Sequence, residues 1–496
     1  MLDQWRADVR LGCRRLARTK GSTSVAVGTL ALGLSGATVM FALVQATLLR
    51  PLPVHEQDRV VVAWKALPAS GFTHYPFGDT EIEEVGRESR LFDNVAGVTR
   101  HGAIRQVMTV DGVSTYVDST TVTGTFFDVL GVDAVLGRTI TATDDHDGAA
   151  PVIVTSYGFW QQRYGGSPDV IGRRLTLGDL SYAVVGVLPP GFDYPVGAEL
   201  WRTTRSVPST SAFGDAGRRE IDLIGRLQSG VTIEQATDEL AGLTRRLERT
   251  APAGVPQGLV PVVRSLEEVV VGDIRATMLA LFVAVGVVLL IACANVANLL
   301  LVRGETRRPE LAVRRALGAS PIHVVRQLFV ESLLLGLAAG VAGLLVAWWS
   351  LPALLALATD RLPRVEVVQL DASVILFAVG LIVITTVLAG LAPALSIWAD
   401  VSSRLGERGV AGAVSRRGRG ALVVAQVALA VVVVAAAAVV TSGLVQLEGT
   451  ELGMSDDRLV FVELSVPPSK YPDAIRRAQF FDTRCWNWRR PPGLRQ

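Results

Sequence analysis

The spacing of the apolar runs constrains this chain more than any other feature. One run covers residues 22–49, and a long water-compatible stretch follows. Three more come close together at 278–302, 324–357 and 374–398, with a fifth at 421–445. A helix crosses a bilayer core with roughly 20 residues at about 1.5 Å each, so every run is long enough to span. At 496 residues and 50% hydrophobic, the chain is too apolar for the ordinary soluble class. This order implies an α-helical membrane protein with a large α+β domain between its first and second spans. The return of a lone span after the group of three points to a duplication.

Basic residues give the orientation. Arg6, Arg10, Arg14 and Arg18 precede the first run, and basic clusters lie at 303–315 and 404–419. Lys and Arg favour the cytoplasmic side. All three segments share one side if each run crosses once. The N-terminus is then inside and the large domain outside, which predicts a multi-pass membrane protein. The first run is too long for a signal-peptide core and lacks a clean cleavage site, so it reads as a retained anchor. Leu2, Trp5, Val9 and Leu16 mark an apolar side on the helix before it, which predicts an amphipathic helix at the headgroups, with membrane lipid as its partner.

The expected order runs from a cytoplasmic amphipathic helix (1–20) through a first span (21–49) to the extracytoplasmic domain (50–272). A second span (273–302), a cytoplasmic segment (303–322), a third span (323–357), a short outer loop (358–371) and a fourth span (372–399) follow. A basic linker (400–419), a fifth span (420–446), the start of a second outer domain (447–482) and an aberrant tail (483–496) complete it. None of the cysteines, Cys13, Cys293 and Cys485, falls in the outer domain. No disulfide framework holds that domain, and roughly 220 residues bury a core without one. Within it, Val152-Ile153-Val154-Thr155 reads as a buried strand and residues 157–164 as a short helix. Residues 174–177 and 182–187, around Gly178-Asp179, read as a hairpin. Thr232 with Gln235 forms a capping box before a helix to about Arg249.

Several segments then resemble one family. They are Leu30-Ala31-Leu32-Gly33, Leu48-Leu49-Arg50-Pro51-Leu52-Pro53, Phe126-Phe127-Asp128-Val129-Leu130-Gly131-Val132 and Gly158-Phe159-Trp160-Gln161-Gln162-Arg163-Tyr164-Gly165-Gly166. Val184-Val185-Gly186-Val187-Leu188-Pro189-Pro190-Gly191-Phe192, Asn295-Val296-Ala297-Asn298-Leu299-Leu300 and Glu310-Leu311-Ala312-Val313-Arg314-Arg315-Ala316-Leu317-Gly318 follow in order. Together they resemble the permeases of the MacB–FtsX superfamily, in the branch where the one-plus-three unit occurs twice. The resemblance implies a non-catalytic permease subunit of an ABC-type mechanotransmission or efflux system. Its implied partner is a separate ABC ATPase, seated on a short helix that carries Glu310, Arg314, Arg315 and Gly318. Pro309 suits the start of that helix and Gly318 its left-handed end. A bare basic loop that only fixes topology is the other reading of the same residues. A second permease chain, identical or different, is a further candidate partner.

Asn295 and Asn298 lie in an apolar span, where polar groups bond neighbouring helices or line a path. Gly336 and Gly340 make a small-xxx-small packing pair. Asp144-Asp145-His146-Asp147 reads as a solvated loop rather than a metal site. No G-x-x-x-x-G-K-[ST] or H-E-x-x-H occurs, so ATP-phosphate and zinc-protease chemistry have no motif here. No enzyme activity, cofactor or catalytic residue is expected, and a net charge of +2 gives no reason to expect nucleic acid. Two alternatives stay open. One is an ATP-independent membrane-anchored binding or signalling protein; the other is an inactive fragment of a duplicated permease. The tail motivates the second. Reading Cys485-Trp486-Asn487-Trp488 from the third base of the Cys codon forces Leu-Glu-Leu, a helix-forming run. The expectation is a frameshift near Asp482.

Overall fold

The computed structural model describes residues 2–99, 103–110, 112–178, 180–206, 221–250, 256–306, 321–358, 368–403, 411–448 and 479–480. The expected second outer domain and aberrant tail, apart from residues 447–448 and 479–480, lie outside the described residues. The chain divides into an α/β unit built on residues 50–273 and a helical unit built on residues 1–49 with 274–361 and 368–458.

The α/β unit contains strands β1 (Val60–Leu67), β2 (Phe72–Tyr75), β3 (Phe92–Thr99), β4 (Ile104–Val110), β5 (Val113–Val122) and β6 (Leu136–Gly137). It continues with β7 (Val152–Thr155), β8 (Arg174–Leu177), β9 (Leu180–Val187), β10 (Leu200–Thr203), β11 (Ile221–Leu227) and β12 (Val260–Ser265). Two sub-structures share β5. Its first half pairs antiparallel with β4, and its last residues pair parallel with β10, Leu200 opposite Ser119. Because β10 also pairs with β7, the order β5-β10-β7-β9-β8-β4 closes on itself. Alternate residues of this ring, among them Met108, Val117, Ile153, Leu175, Tyr182 and Leu200, fill its interior.

On the other side of β5 the sheet opens as β3-β11-β1-β12. Val61 and Ala63 of β1, Leu223 of β11 and Val263 of β12 point to one face. Two helices cover that face, α3 (Asp79–Glu88) through Ile82 and Val85, and α6 (Ile233–Thr250) through Ala236 and Leu240. Lys65 is buried on this face. Its ammonium lies 2.8 Å from Glu81 and over the Phe77 ring, so both partners that a buried cation needs are present.

The local sequence signals hold here. The strand at 152–155 is buried throughout. The helix α5 (Tyr157–Tyr164) is capped by Ser156, whose Oγ accepts from the Phe159 N–H at 3.0 Å, and ends at Gly165 with φ +59°. Thr232 and Gln235 exchange both bonds of the capping box, at 3.0 and 3.3 Å. The hairpin differs in length, because β9 begins at Leu180 rather than 182. Cross-strand pairing of Leu177 with Leu180 extends the ladder to the turn. The acidic loop is tied down through its side chains. Asp144 accepts from Arg138, and Asp145 accepts from the N–H groups of Gly124 and Arg205.

The helical unit contains α1 (Leu2–Arg18), α2 (Lys20–Val44), the long α7 (Leu266–Thr306) from residue 274 onward, α8 (Pro321–Ala358), α9 (Ala372–Ser403) and α10 (Ala411–Glu448), while the first turns of α7 belong to the α/β unit. Five helices among the described residues are long and apolar enough to cross a membrane. Small residues set their packing. A Cβ on Gly340 would come within 2.3 Å of Ile382 Cδ1, and one on Gly33 within 2.9 Å of Leu289 Cδ1. The backbones therefore approach closely, as small residues allow in spans. Leu30, Leu34, Cys293, Val296, Leu335 and Ala339 form the central contact of α2, α7 and α8. Phe41 stacks on Phe377 at 3.9 Å between centroids. Asp371 caps α9, accepting from the Ser373 and Val374 N–H groups.

Candidate functional site

The residues predicted to meet an ATPase, Glu310, Arg314, Arg315 and Gly318, lie outside the described residues. The structure does describe the two helices that lead into and out of that segment, α7 up to Thr306 and α8 from Pro321. Both are tied to the N-terminal helices by polar side chains.

The first tie is at the end of α7. The Arg303 guanidinium donates from Nη2 to Ser22 Oγ at 2.5 Å and to Thr23 Oγ1 at 3.1 Å. These hydroxyls belong to the first turn of α2. Thr23 in turn donates to the Leu16 carbonyl, and Thr19 Oγ1 donates to the Arg15 carbonyl. A ladder of hydroxyls thus joins α1 to α2 where the helix is interrupted at Thr19, whose ψ is 51°.

The second tie is at the start of α8. Arg15 Nη1 lies 3.0 Å from Glu331 Oε1, and the Glu331 side chain is only 7% exposed. Gly12, one turn earlier on α1, permits the approach, because a Cβ there would come within 2.8 Å of Leu334. The face of α1 that packs is therefore Gly12, Arg15, Leu16 and Thr19, at helical spacing. Of the apolar side read from the sequence, Leu16 is part of this face, whereas Val9 is exposed. Gly12, Arg15 and Leu16 make the contact. Sequence reading missed Glu331. The available signal was a lone carboxylate inside an apolar run, which demands a cationic partner.

Of the polar residues predicted inside the second span, Asn295 is exposed on α7. Asn298 is half-buried, and its Oδ1 is buried with no hydrogen-bond partner among the described residues. Gly336 does pack as expected, since a Cβ there would meet Thr386. Among the described residues, no group of three or more His, Cys, Asp or Glu side chains is arranged to hold a metal.

Comparison with known proteins adds family information. Residues 23–243 match the MacB-like periplasmic core domain family, and residues 282–399 match the FtsX-like permease C-terminal family. The chain is 27% identical over 262 residues to the pyoverdine export ATP-binding/permease protein PvdT of Pseudomonas syringae pv. tomato, a match covering 50% of this chain and 37% of that protein. It is 27% identical over 199 residues to the macrolide export ATP-binding/permease protein MacB of Shewanella oneidensis, covering 37% of this chain and 27% of the relative. Among solved structures, the periplasmic region of MacB from Actinobacillus actinomycetemcomitans aligns with 45% of this chain and 94% of its own, at 13% identity and a TM-score of 0.35. The matches span little more than a third of the length of these curated relatives at most. Both matched families are permease domains, and neither is an ATPase domain.

Proposed function

This chain belongs to the MacB–FtsX superfamily of membrane permeases, and from that premise we propose that it is the non-catalytic permease subunit of an ABC-type efflux or force-transmitting system. A separate ATPase supplies the energy. The N-terminus and the segment at 303–322 face the cytoplasm of a bacterial inner membrane, and the α/β unit works on the outer side as the periplasmic domain. Glu310, Arg314, Arg315 and Gly318 form the seat of the ATPase. The one-plus-three arrangement, with a fifth helix opening a second copy, is part of the same proposal.

The observation that carries this reading is the pair of ties around the seat. A displacement of a short segment moves a span only if bending elsewhere does not absorb it. Here the helix entering the segment is held by Arg303 to Ser22 and Thr23, and the helix leaving it is held by Glu331 to Arg15. Charge-assisted hydrogen bonds are short and about twice as strong as neutral ones. A push on the segment is therefore shared by α2, α7 and α8 together, with α1 as the strap. A loop that only fixed topology would have no use for a tie on each of its flanking helices, one to α2 and one to α1.

Affinity purification in mild detergent with mass spectrometry tests the reading. An ABC ATPase co-purifies with the full chain, and Arg314→Glu with Arg315→Glu lowers its recovery at least about tenfold without loss of membrane insertion. Equal recovery with both arginines reversed refutes the assigned seat. The absence of any ATPase refutes the ABC role.

A further inference from the structure

The open part of the α/β sheet has a second face, and a cleft of about 730 Å³ lies on it. Clefts of roughly 300–1,000 Å³ suit drug-sized molecules. The floor follows from strand register. Val62 and Trp64 point away from the packed core, Val62 opposite Arg264 and Trp64 opposite Val262 on β12. Asp222 stands opposite Val98 across β11 and β3. The walls are β2, the segment at 194–196 and the first turns of α7 at 268–270.

The polar side chains on this cleft are already engaged with one another. His74 Nε2 lies 2.8 Å from one oxygen of Asp222 and 3.0 Å from the other. Arg264 lies 3.5 Å from Glu268 and covers the Trp64 ring at 5.7 Å. Burial and the charge of Asp222 hold the Tyr194 phenol above its ordinary range, so that group stays neutral. An ionic ligand entering the cleft would give up its hydration and meet polar groups that already hold partners. The surface left for recognition is apolar and aromatic. The Trp64 and His74 rings are parallel, with centroids 4.7 Å apart. Phe72, half-exposed, and the Val196 side chain stand at its edge. With Arg264 and His74 both on Trp64, one more flat ring continues this stack beyond His74, because offset stacking is favourable between aromatic faces.

We infer that this cleft is a binding site for an uncharged molecule bearing planar aromatic rings. It involves residues of the α/β unit alone and does not depend on the ATPase reading. The test uses the full chain in lipid nanodiscs and a matched pair of fluorescent probes. N-phenyl-1-naphthylamine is neutral; 8-anilinonaphthalene-1-sulfonate has the same skeleton with one added sulfonate. With empty nanodiscs as reference, the neutral probe shows a saturable component of about one site per chain, and the sulfonate binds at least about tenfold more weakly. Val196→Trp, which fills the cleft from an exposed position, abolishes the saturable component. Phe72→Ala weakens it roughly three- to tenfold. Both variants keep their wild-type thermal transition, which separates loss of the site from loss of the fold. No saturable component in the wild type, equal affinity for the charged probe, or unchanged binding in Val196→Trp overturns the inference.

Discussion

Removing Arg15 should weaken the helical unit. Breaking a buried ion pair by deleting one member costs about 3–5 kcal/mol, because the other charge stays behind without that partner. The Arg15 side chain keeps 20% of its surface exposed and Glu331 only 7%. Solvent screening on the arginine side lowers the expected cost of Arg15→Ala to about 2 kcal/mol. At roughly 2–4 °C per kcal/mol for a unit of this size, the transition falls by roughly 4–8 °C. Glu331→Gln costs less, because the long arginine can turn its head towards water. The double variant recovers most of the loss, for a coupling of about 1.5 kcal/mol. Cys293 supplies the readout. It is buried among α2, α7 and α8, so a thiol-reactive fluorophore reaches it only when the bundle opens. Cys13, which is exposed, and Cys485 are first replaced by serine. A double-mutant coupling below about 0.5 kcal/mol, or an Arg15→Ala transition within a degree of the parent, refutes the argument that this pair straps α1 to α8.

Two further outcomes follow. In intact spheroplasts, Asp147→Cys, at an exposed position, reacts with an impermeant thiol reagent while Thr306→Cys does not; the reverse pattern would falsify the proposed orientation. In the α/β unit, burial holds the Glu199 carboxyl above its usual range, with the Asp118 charge adding and the Asp118 N–H, Arg105 and Arg163 opposing. The folded state therefore holds this proton to higher pH than the unfolded chain, and wild-type stability gains as pH falls through the raised value. Glu199→Gln keeps an acceptor for the Asp118 N–H, so it is more stable than wild type at neutral pH and loses that advantage on acidification. Tryptophan-monitored unfolding across pH checks this, and an advantage that grows on acidification contradicts the assignment.

What the sequence determined about this protein is its local and periodic content. Apolar length alone sets the helices long enough to cross a membrane, because backbone polar groups in a bilayer must be satisfied within the segment. The strand at 152–155, the helix at 157–164 and the Thr232–Gln235 capping box were legible because each depends on side chains a few residues apart. The order of short motifs was enough to point to the family. The ties of the candidate site were not legible. Glu331 meets Arg15 across 316 positions, and a lone carboxylate in an apolar run calls for a cationic partner without saying which one. Tertiary packing also chose the working face of α1, because Gly12 lets that helix approach α8 and leaves Val9 outside. The cleft is likewise a product of register. Trp64, His74, Asp222 and Arg264 carry no shared spacing in the chain, and only the alignment of β1, β2, β11 and β12 brings them to one wall. Local rules fix what each segment becomes. Which charges cancel and which faces stay open depends on contacts between segments far apart in the chain.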